Sequence, residues 1–596
     1  MRVADYIVKF LEDQGVRTIF MIAGGQAMWL NDALQRSGIS PVCTHHEQAA
    51  AMAAEAYGRI SGKLGVCMVT AGPAGVNALN GVVGAYVDSS PMLVISGQSA
   101  LPNVEYMKQS GIRQYGLQGI LLEPMIKPVT KYFVTVDDAA SIAYYLEKAV
   151  WEATTGRPGP AWIEVPLDVQ RMEVPEKLLR HFTPPQLPAP AAQLFEHAAA
   201  TAALVSKSKR PLLLVGQGVR IAKAQAAVAK LLARAPMPVA TTRLAIDVVD
   251  SGNPLFAGRP GLYGDRSANF AVQTADVIVA IGARLDPGIV GYDAKDWGRR
   301  AQKVIVDLDD KELHKPGLER ATRYRHDARA FLEALEGALA TTAWPDRQRW
   351  ITRCQTWRRD YPTVSPAYQK ETPVNSYYLA ERLSHAADVG DVVVVDTSSP
   401  FHVVCQAWHL KLGQRFLTTG GISTMGYWAA GIGACLGDGK RRTIIVTGDG
   451  CLQMNLQELA TIKHHQLPIK LFVINNNGYL LIRHTQKTHM EGRMIGESPA
   501  SGLWCPDSTK IAGAYGIPAV RIASPEGIDD KIRQVLNTDG PVICDVLSPE
   551  WQMIVPRVAS EKRPDGSMVS RPYEDLFPFL PPDELRRTLA VDDPAQ

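Results

Sequence analysis

The stretch TIIVTGDGCLQMNLQELATIKHHQLPIKLFVINNNG, residues 443–478, decides the fold of this chain. Two short apolar runs, TIIVT and KLFVI, have the length of buried strands, and the polar and apolar residues between them alternate as in a helix. A strand, a helix and a second strand in this order predict parallel pairing, because the helical crossover brings the chain back to the end of the sheet at which the first strand began. Each run ends in polar residues, GDG at 448–450 and NNNG at 475–478.

The same strand–turn–helix pattern recurs along the whole chain. We therefore predict an α/β protein with three domains, each a parallel sheet flanked by helices. The predicted parts are an N-terminal domain at 1–182, a central domain at 194–340, a C-terminal domain at 371–548 and a tail at 549–596. The proline-rich stretch 183–193 is interpreted as a linker, residues 325–370 as a polar helical connector, and the tail as a surface segment.

Composition excludes several classes of protein. The 596 residues carry a net charge of +3 and are 46% hydrophobic, which fits a globular chain and not one that binds nucleic acid by bulk charge. The eight cysteines form no C-x-x-C pair, so we expect free thiols in a reducing compartment. Neither a signal peptide nor a long apolar segment is recognisable, and we expect a cytoplasmic protein without membrane contact.

Asp449 and Asn476 follow the two strands of the opening segment, 27 residues apart. Because parallel strands end at one edge of the sheet, the two side chains are expected to be neighbours. With the backbone carbonyl of Gly478 they would offer oxygen ligands to Mg²⁺, which prefers to share such ligands with phosphate oxygens. A helix predicted over QMNLQELATIKHH would direct its first N–H groups at the same phosphates. The alternative is that GDG is a turn and NNNG a loop.

This segment resembles the thiamine-diphosphate motif GDG…NN, and over its whole length it is similar to acetolactate synthases. The resemblance covers nearly all of the chain. It implies a pyrimidine-binding domain, a central domain that often holds FAD, and a diphosphate-binding domain. The family's cofactor sites lie between subunits, so a homodimer or homotetramer with the cofactor at the subunit interface is expected.

Glu47, in THHEQAAAMAAEAYGR, matches the family's catalytic carboxylate. In that role it drives the cofactor's aminopyrimidine to its imino form, so that the cofactor can lose its own proton. We expect a buried carboxylate at this position. The alternative is a first-turn glutamate that is stabilised by the helix dipole.

The remaining site residues carry over by motif. Gln118 matches the loop glutamine beside the reacting carbon, Gly25 the glycine of close approach, and Met425 the apolar wedge that keeps the cofactor bent. Ile22 stands where the family often has tyrosine. The other residues expected to contact thiamine diphosphate are Thr70, Pro73, Asn77, Ser398, Ser399, Gly448, Gly450, Cys451 and Tyr479.

The central domain resembles the FAD-binding stretches of acetolactate synthases at Gly216, Gly218, Arg220, Arg284 and Asp307. Glycine turns at strand ends let the phosphates of a dinucleotide approach closely. The sequence PGIVG at 287–291 departs from the family, which usually has an arginine there. The alternative to FAD is a nucleotide fold that is kept for packing.

Residues 475–497 and 563–580 also depart from ordinary acetolactate synthases. They resemble a subgroup of surface-polysaccharide pathways that adds a pyruvate-derived acetyl unit to a nucleotide-linked keto sugar. Arg483, His484 and Lys487 could then meet the phosphorylated acceptor, unless they form a solvated charged loop.

The resemblance thus predicts a carboligase that decarboxylates a 2-oxo acid, with pyruvate as the expected donor, and transfers the acyl carbanion to an aldehyde or ketone. The alternatives are an acetolactate synthase of branched-chain amino-acid biosynthesis and a flavin-dependent enzyme of the pyruvate-oxidase type. A non-catalytic relative is a fourth reading, but it would not need Glu47, Asp449 and Asn476 together.

Overall fold

The computed structural model describes residues 1–186, 192–562, 565 and 568–590. The chain divides into two compact units. The first comprises 1–186, 390–401 and 417–550, and the second comprises 187–389, 402–416 and 551–596. Part of the predicted linker, 187–191, lies outside the described residues, as do four residues of the departing segment 563–580.

The first sheet has six parallel strands in the order β2-β1-β3-β4-β6-β5. Its strands are β1 Thr18–Met21, β2 Ser40–Cys43, β3 Gly65–Val69, β4 Met92–Gln98, β5 Tyr132–Thr135 and β6 Pro160–Pro166. Its helices are α1 Val3–Asp13, α2 Met28–Gln35, α3 Glu47–Ser61, α4 Pro73–Val87, α5 Leu101–Ser110, α6 Glu123–Ile126, α7 Ile142–Thr154 and α8 Leu167–Arg171. Strands β3, β4 and β6 are buried along their whole length, as expected when helices cover both faces.

The second sheet has the order β12-β11-β10-β7-β8-β9. Its strands are β7 Pro211–Val215, β8 Val239–Thr241, β9 Phe256–Gly258, β10 Val277–Ile281, β11 Gln302–Asp307 and β12 Thr322–Arg325. The helices of this region are α9 Ala192–Lys207, α10 Gln217–Ile221, α11 Gln225–Arg234, α12 Arg266–Thr274, α13 Pro287–Val290, α14 Asp310–Leu313, α15 Ala328–Ala340, α16 Gln348–Asp360 and α17 Ser376–Ala386. Helix α15 buries Phe331, Leu332 and Leu335 in the core of this sheet, so part of the predicted polar connector is a core element.

The third sheet has the order β14-β13-β15-β16-β18-β17. Its strands are β13 Val392–Val395, β14 Arg415–Thr418, β15 Thr443–Gly448, β16 Ile469–Asn475, β17 Ala519–Ile522 and β18 Val542–Leu547. Its helices are α18 Ser399–Ala407, α19 Ala430–Gly437, α20 Asp449–Leu452, α21 Glu458–His464, α22 Leu480–His489, α23 Ser508–Ala514 and α24 Ile528–Asn537. The three predicted parallel sheets are confirmed.

The first and third sheets share one hydrophobic core within the first unit, which the sequence did not predict. The alanine-rich helix α3 packs on α19, and a Cβ added at Gly433 would clash with the backbone carbonyl of Ala53. Small residues on both helices allow this close approach, because there is no side chain to separate the two backbones. The shared core joins Phe20 and Trp162 to Trp428.

The tail is more than a surface segment. It forms β19 Arg557–Val558, β20 Ser560–Lys562, β21 Met568–Ser570, β22 Leu576–Phe577 and α25 Pro582–Leu589. Tyr573 is buried in the core of the second unit, and its hydroxyl donates a 2.6 Å hydrogen bond to the carbonyl of Ile289. The expectation of a surface tail was therefore wrong for this part, because aromatic burial outweighs the proline and charge that surround it.

Two expectations from composition can be compared with the structure. All eight cysteines lie in the described ranges and are free thiols. Across the described residues, no helix combines the length and the apolar character that crossing a bilayer requires.

Candidate active site

Each of the three sheets reverses the direction in which successive strands are added. The reversals lie between β1 and β3, between β7 and β10, and between β13 and β15. In parallel α/β sheets, ligands bind outside the carboxyl ends of the strands at these positions. Gly25 and Thr70 follow the strands at the first reversal, Gly216 follows β7 at the second, and Ser398 and Asp449 follow the strands at the third.

Asp449 is buried directly after β15 and begins α20. Its carboxylate accepts hydrogen bonds of 2.9 Å from the backbone N–H groups of Gly450 and Gly478. Burial raises the pKa of Asp449 to about 6, although the backbone hydrogen bonds oppose this shift. A cation beside the carboxylate would offset the cost of burying its charge.

Asn476 lies next to Asp449 because Gly448 on β15 pairs with Ile474 on β16. The side-chain oxygen of Asn476 is buried, and it has no hydrogen-bond partner among the described residues. An orphaned buried acceptor costs free energy unless a ligand satisfies it. The described residues contain no group of three or more His, Cys, Asp or Glu side chains suited to a metal. The carboxylate of Asp449 and the amide oxygen of Asn476 are hard oxygen donors of the kind that Mg²⁺ takes.

The helix predicted after GDG is broken. Helix α20 ends at Leu452, a 3₁₀ turn covers Gln453–Asn455, and α21 begins only at Glu458. The polar residues of this stretch bond to neighbouring loops instead of to solvent. Asn455 donates to the carbonyl of Gly426 at 2.8 Å, and Glu458 accepts from the backbone N–H of His45 at 3.0 Å. The predicted long helix was therefore wrong, and the N–H groups that bond to Asp449 are those of Gly450 and Gly478.

Gly450 of the GDG motif and the next residue, Cys451, are both tightly packed. A Cβ added at Gly450 would clash with the ring of Tyr479, which lies against this glycine. The thiol of Cys451 is buried, and burial raises its pKa well above the ordinary value. This cysteine is therefore a packing residue rather than a nucleophile.

The turn that carries Met425 is held by Asp396, which the sequence analysis missed. Asp396 is fully buried at the end of β13. It accepts hydrogen bonds from the backbone N–H of Tyr427 at 3.1 Å and from the hydroxyl of Thr447 at 2.9 Å. Met425, two residues before Tyr427, is half-buried. The order acid–Thr–Ser after a valine run was the only available signal, and strand-end turns use such residues widely.

Ser398 and Ser399 lie where the sequence placed them, after β13. Ser398 has a φ of 66°, which is uncommon for a residue with a side chain, and Ser399 begins α18. Non-glycine residues in the left-handed region concentrate at functional sites. The two serines therefore belong to the strand-end crevice of the third sheet.

Glu47 begins α3 and is half-buried in the single chain. The side-chain amide of Asn77 on α4 donates a 2.9 Å hydrogen bond to Oε2 of Glu47. Pro73, one helical turn earlier, is the first residue of α4. The carboxylate is therefore oriented by a neighbouring helix while it keeps access to the surface.

The first sheet also brings Gly25 and Thr70 together. A Cβ added at Gly24 would lie 2.5 Å from Cβ of Thr70, whereas a Cβ added at Gly25 would meet nothing within 4 Å. Gly24 is thus the glycine that the protein's own packing requires. Gly25 faces open space, as a glycine approached by a ligand would. The hydroxyl of Thr70 is buried and has no partner among the described residues.

Gln118 is exposed, and it lies on a loop that forms hydrogen bonds with the first sheet. It has a φ of 58°, and a Cβ added at Gly72 would clash with its carbonyl oxygen. The side-chain amide of Gln98 donates to the carbonyl of Ile120 at 2.9 Å and to Glu164 at 2.8 Å. Glu164 is only 2% exposed, and burial raises its pKa to about 7. Gln98 and Glu164 were not predicted, because nothing in a strand sequence shows which polar residue will be covered.

The residues predicted for FAD have partners within the protein. Cβ atoms added at Gly216 or Gly218 would clash with the backbone of Gly282 or lie within 2.7 Å of it. Arg220 donates to the carboxylate of the buried Asp247 at 3.2 Å and to its carbonyl. The glycines are thus explained by packing, and Arg220 is neutralised.

The other two residues predicted for FAD also have protein contacts. Arg284 lies 3.6 Å from Asp286, and the carboxylate of Asp307 accepts from the backbone N–H of Asp309 at 2.9 Å. These contacts neither require a dinucleotide nor fill the crevice at the second reversal.

Arg483 is buried and does not face an acceptor, so this part of the acceptor prediction was wrong. Its guanidinium pairs with the carboxylate of Glu497 at 2.5 Å. It satisfies polar groups of the fold, which is the usual condition for burying a charge. His484 is half-buried and Lys487 is exposed on the same helix.

Comparison with known proteins agrees with this geometry. Models of the thiamine pyrophosphate enzyme domains match residues 1–122 (N-terminal TPP binding domain), 198–335 (central domain) and 396–546 (C-terminal TPP binding domain). The chain is 30% identical to the acetolactate synthase isozyme 2 large subunit of Escherichia coli, over 97% of this chain and 100% of that protein. It is also 30% identical to a probable acetolactate synthase large subunit of Methanocaldococcus jannaschii, over 92% of both chains. It is 28% identical to the chloroplastic acetolactate synthase of Arabidopsis thaliana, over 94% of this chain and 83% of that protein.

Proposed function

Because the chain belongs to the thiamine pyrophosphate enzyme family and is acetolactate-synthase-like, we propose that it decarboxylates pyruvate and joins the acyl carbanion to a second carbonyl compound. The acetolactate synthases among its relatives suggest a second 2-oxo acid as the acceptor. The observation that carries the proposal is the buried, unpartnered oxygen of Asn476 beside Asp449, at the end of the sheet that the diphosphate-binding model matches.

Asp449, Asn476 and the carbonyl of Gly478 would hold Mg²⁺, which neutralises the diphosphate. When bound, thiamine diphosphate supplies the carbon nucleophile and accepts the electrons that decarboxylation releases. The remaining roles belong to the chain. Ser398 and Ser399 offer hydroxyls to phosphate oxygens at the carboxyl end of β13. Met425 would be the apolar wedge that keeps the cofactor bent.

Glu47 is proposed to hold and move the proton at a pyrimidine nitrogen. Its carboxylate is oriented by Asn77, so the proton would be exchanged at a fixed position. Gln118 can donate an amide hydrogen bond to the substrate carbonyl without giving up a proton to the carbanion. The tight packing of its loop on Gly72 supports such fixed geometry, because misplaced groups contribute little to catalysis.

A larger, phosphorylated acceptor such as a nucleotide-linked keto sugar is a further candidate, suggested by the unusual sequence of 475–497. The burial of Arg483 against Glu497 weakens it, because the guanidinium is already neutralised. For a pyruvate-oxidase-type reaction, a membrane-seeking C-terminal helix would be expected. In α25, Leu585 and Leu589 pack instead against the core of the second unit.

The test is incubation of the purified protein with pyruvate, Mg²⁺ and thiamine diphosphate, alone and with a panel of 2-oxo acids, aldehydes and nucleotide-linked keto sugars. Mass spectrometry would identify the product. We expect acetolactate from pyruvate alone. A product formed only with a sugar acceptor would favour the second candidate, and absence of any decarboxylation would contradict the proposal.

FAD is proposed as a second cofactor, at the reversal between β7 and β10. The position of Gly216 and Gly282 at the ends of these two strands supports it, whereas the pairing of Arg220 with Asp247 does not. The absorbance spectrum of the purified protein decides the question. Flavin bands at one equivalent per chain would support FAD, and their absence after reconstitution would exclude it.

We also propose that the active enzyme is a homodimer or homotetramer whose cofactor lies at the subunit interface. The partial exposure of Glu47 in the single chain supports this, because a partner subunit would complete its burial. Sedimentation at decreasing protein concentration, with activity measured in parallel, tests the idea. Full activity of a monomer would contradict it.

A further inference from the structure

Arg483 is a buried charged side chain near the candidate metal site, and its guanidinium donates hydrogen bonds to several loops. It lies in the first turn of α22 and is 3% exposed. Its guanidinium donates to the carbonyls of Asn476 at 3.3 Å and Asn477 at 3.0 Å. It also donates to the carboxylate and carbonyl of Glu497, at 2.5 and 3.2 Å, and to the carbonyl of Glu550 at 2.5 Å.

The loop that these bonds hold is conformationally demanding. Directly after β16, Asn477 has a φ of 59° and Gly478 a φ of 131°. Two consecutive residues in the left-handed region persist only when the surrounding structure supports them. Arg483 donates to the two carbonyls that flank this change of direction, so it fixes the loop from one side.

Glu497 contacts the same loop next to Arg483. Its carbonyl accepts the backbone N–H of Tyr479 at 2.9 Å, and a Cβ added at Gly478 would clash with that carbonyl. Its carboxylate accepts from the hydroxyls of Ser498 at 2.7 Å and Ser501 at 3.2 Å, as well as from Arg483. The loop 476–478 is therefore clamped by a pair of buried, oppositely charged residues that contact each other.

We propose that Arg483 and Glu497 are positioning residues that preset the side-chain oxygen of Asn476 and the carbonyl of Gly478 for Mg²⁺. This inference rests on the proposed function, since it assigns a purpose to the loop that would hold the metal. Ligands that are already in place do not have to be ordered when the cation binds. Partners that orient metal ligands typically change metal affinity 10- to 100-fold when they are removed.

The test uses the full-length protein and the variant Arg483→Met, which keeps the bulk of the side chain. Mg²⁺ is titrated by calorimetry in the presence of thiamine diphosphate, and thermal unfolding is measured without either. We expect Mg²⁺ affinity to fall by about 10- to 100-fold, with most of the maximal turnover recovered at saturating Mg²⁺. Because this variant leaves Glu497 without its cation, the double variant Arg483→Met/Glu497→Gln is included, and it should show a loss of the same order.

Arg442 provides a matched control. It forms a partly buried pair with Asp391, at 2.7 and 2.8 Å, but at the amino ends of β13 and β15, away from the strand ends that carry the site. Arg442→Met should lower the unfolding temperature and leave Mg²⁺ affinity unchanged. The clamp is overturned if wild type and Arg483→Met bind Mg²⁺ equally, or if Arg442→Met loses as much affinity. A wild-type protein that bound neither Mg²⁺ nor thiamine diphosphate would overturn the proposed function itself.

Discussion

The side-chain amide of Asn77 donates a 2.9 Å hydrogen bond to Oε2 of Glu47, and so connects α4 to the first residue of α3. An N–H donor fixes the orientation of the carboxylate. A carboxylate held in this way can exchange a proton at one defined position. This geometry is what a residue that tautomerises a bound heterocycle needs.

Replacing Glu47 by glutamine should abolish most of the activity without unfolding the protein. Glutamine keeps the size and can still accept from Asn77, but it cannot hold the proton. We expect the rate of CO₂ release from pyruvate to fall by at least about 100-fold at saturating cofactor, with an unchanged unfolding temperature. Glu333→Gln, at an exposed position of α15, is the control. Near-normal decarboxylation by Glu47→Gln would remove Glu47 from catalysis.

Asp449→Ala should lose Mg²⁺ and thiamine diphosphate together. The carboxylate is the only charged oxygen in the proposed donor set, and the diphosphate depends on the cation for charge neutralisation. Calorimetric titration of the cofactor, with and without Mg²⁺, would detect the loss. Asp539→Ala removes an exposed charge just before β18 of the same sheet, and this variant should bind the cofactor and Mg²⁺ normally. Undiminished cofactor binding by Asp449→Ala would contradict the metal assignment.

Gly72→Ala should impair catalysis through the Gln118 loop. Gly72 has a φ of 64°, and an added Cβ would clash with the carbonyl of Gln118. The loop must then shift, and a displacement of about 1 Å can lower turnover by about 100-fold. The control is Gly84→Ala, inside α4, the helix that begins directly after Gly72. The new Cβ would have open space around it, and the change should add up to about 1 kcal/mol to the free energy of unfolding. Equal turnover of the two variants would show that Gln118 is not held by this contact.

Glu164 should make stability depend on pH. Burial raises its folded-state pKa from 4.5 to about 7, so the folded protein binds this proton more tightly than the unfolded chain does. The stabilisation is complete below pH 4.5 and is lost as the pH rises through about 7, with a total of about 3 kcal/mol. Glu164→Gln is neutral throughout and should lose less stability between pH 5 and 8, measured as unfolding temperature. Parallel curves for wild type and variant would refute this.

Much of the fold was predictable because buried parallel strands are continuous apolar runs that end in glycine or acid. TIIVT before Asp449 and KLFVI before Asn476 are both strands, and the two strands pair in parallel as predicted. The pattern could not show that α3 and α19 join two sheets into one core. That contact depends on small residues 380 or so positions apart in the chain, whose packing leaves no periodic signal.

The failures at the site share one cause, which is that sequence does not show where a polar side chain points. The helix predicted after GDG is interrupted because Asn455 and Glu458 bond inward to neighbouring loops. Arg483, expected to meet an acceptor, turns inward to the metal loop. Asp396 was missed because strand-end turns often carry acids, and Glu164 was missed because a strand sequence does not show which polar residue will be covered.

The most direct test of the account is a crystal structure of the protein grown with Mg²⁺ and thiamine diphosphate. We predict a metal ion bound by Asp449, the side-chain oxygen of Asn476 and the carbonyl of Gly478. We also predict that the carboxylate of Glu47, from the same or a second copy of the chain, contacts the pyrimidine ring. A cofactor bound with Glu47 remote from that ring, or with no metal at these oxygens, would contradict the account.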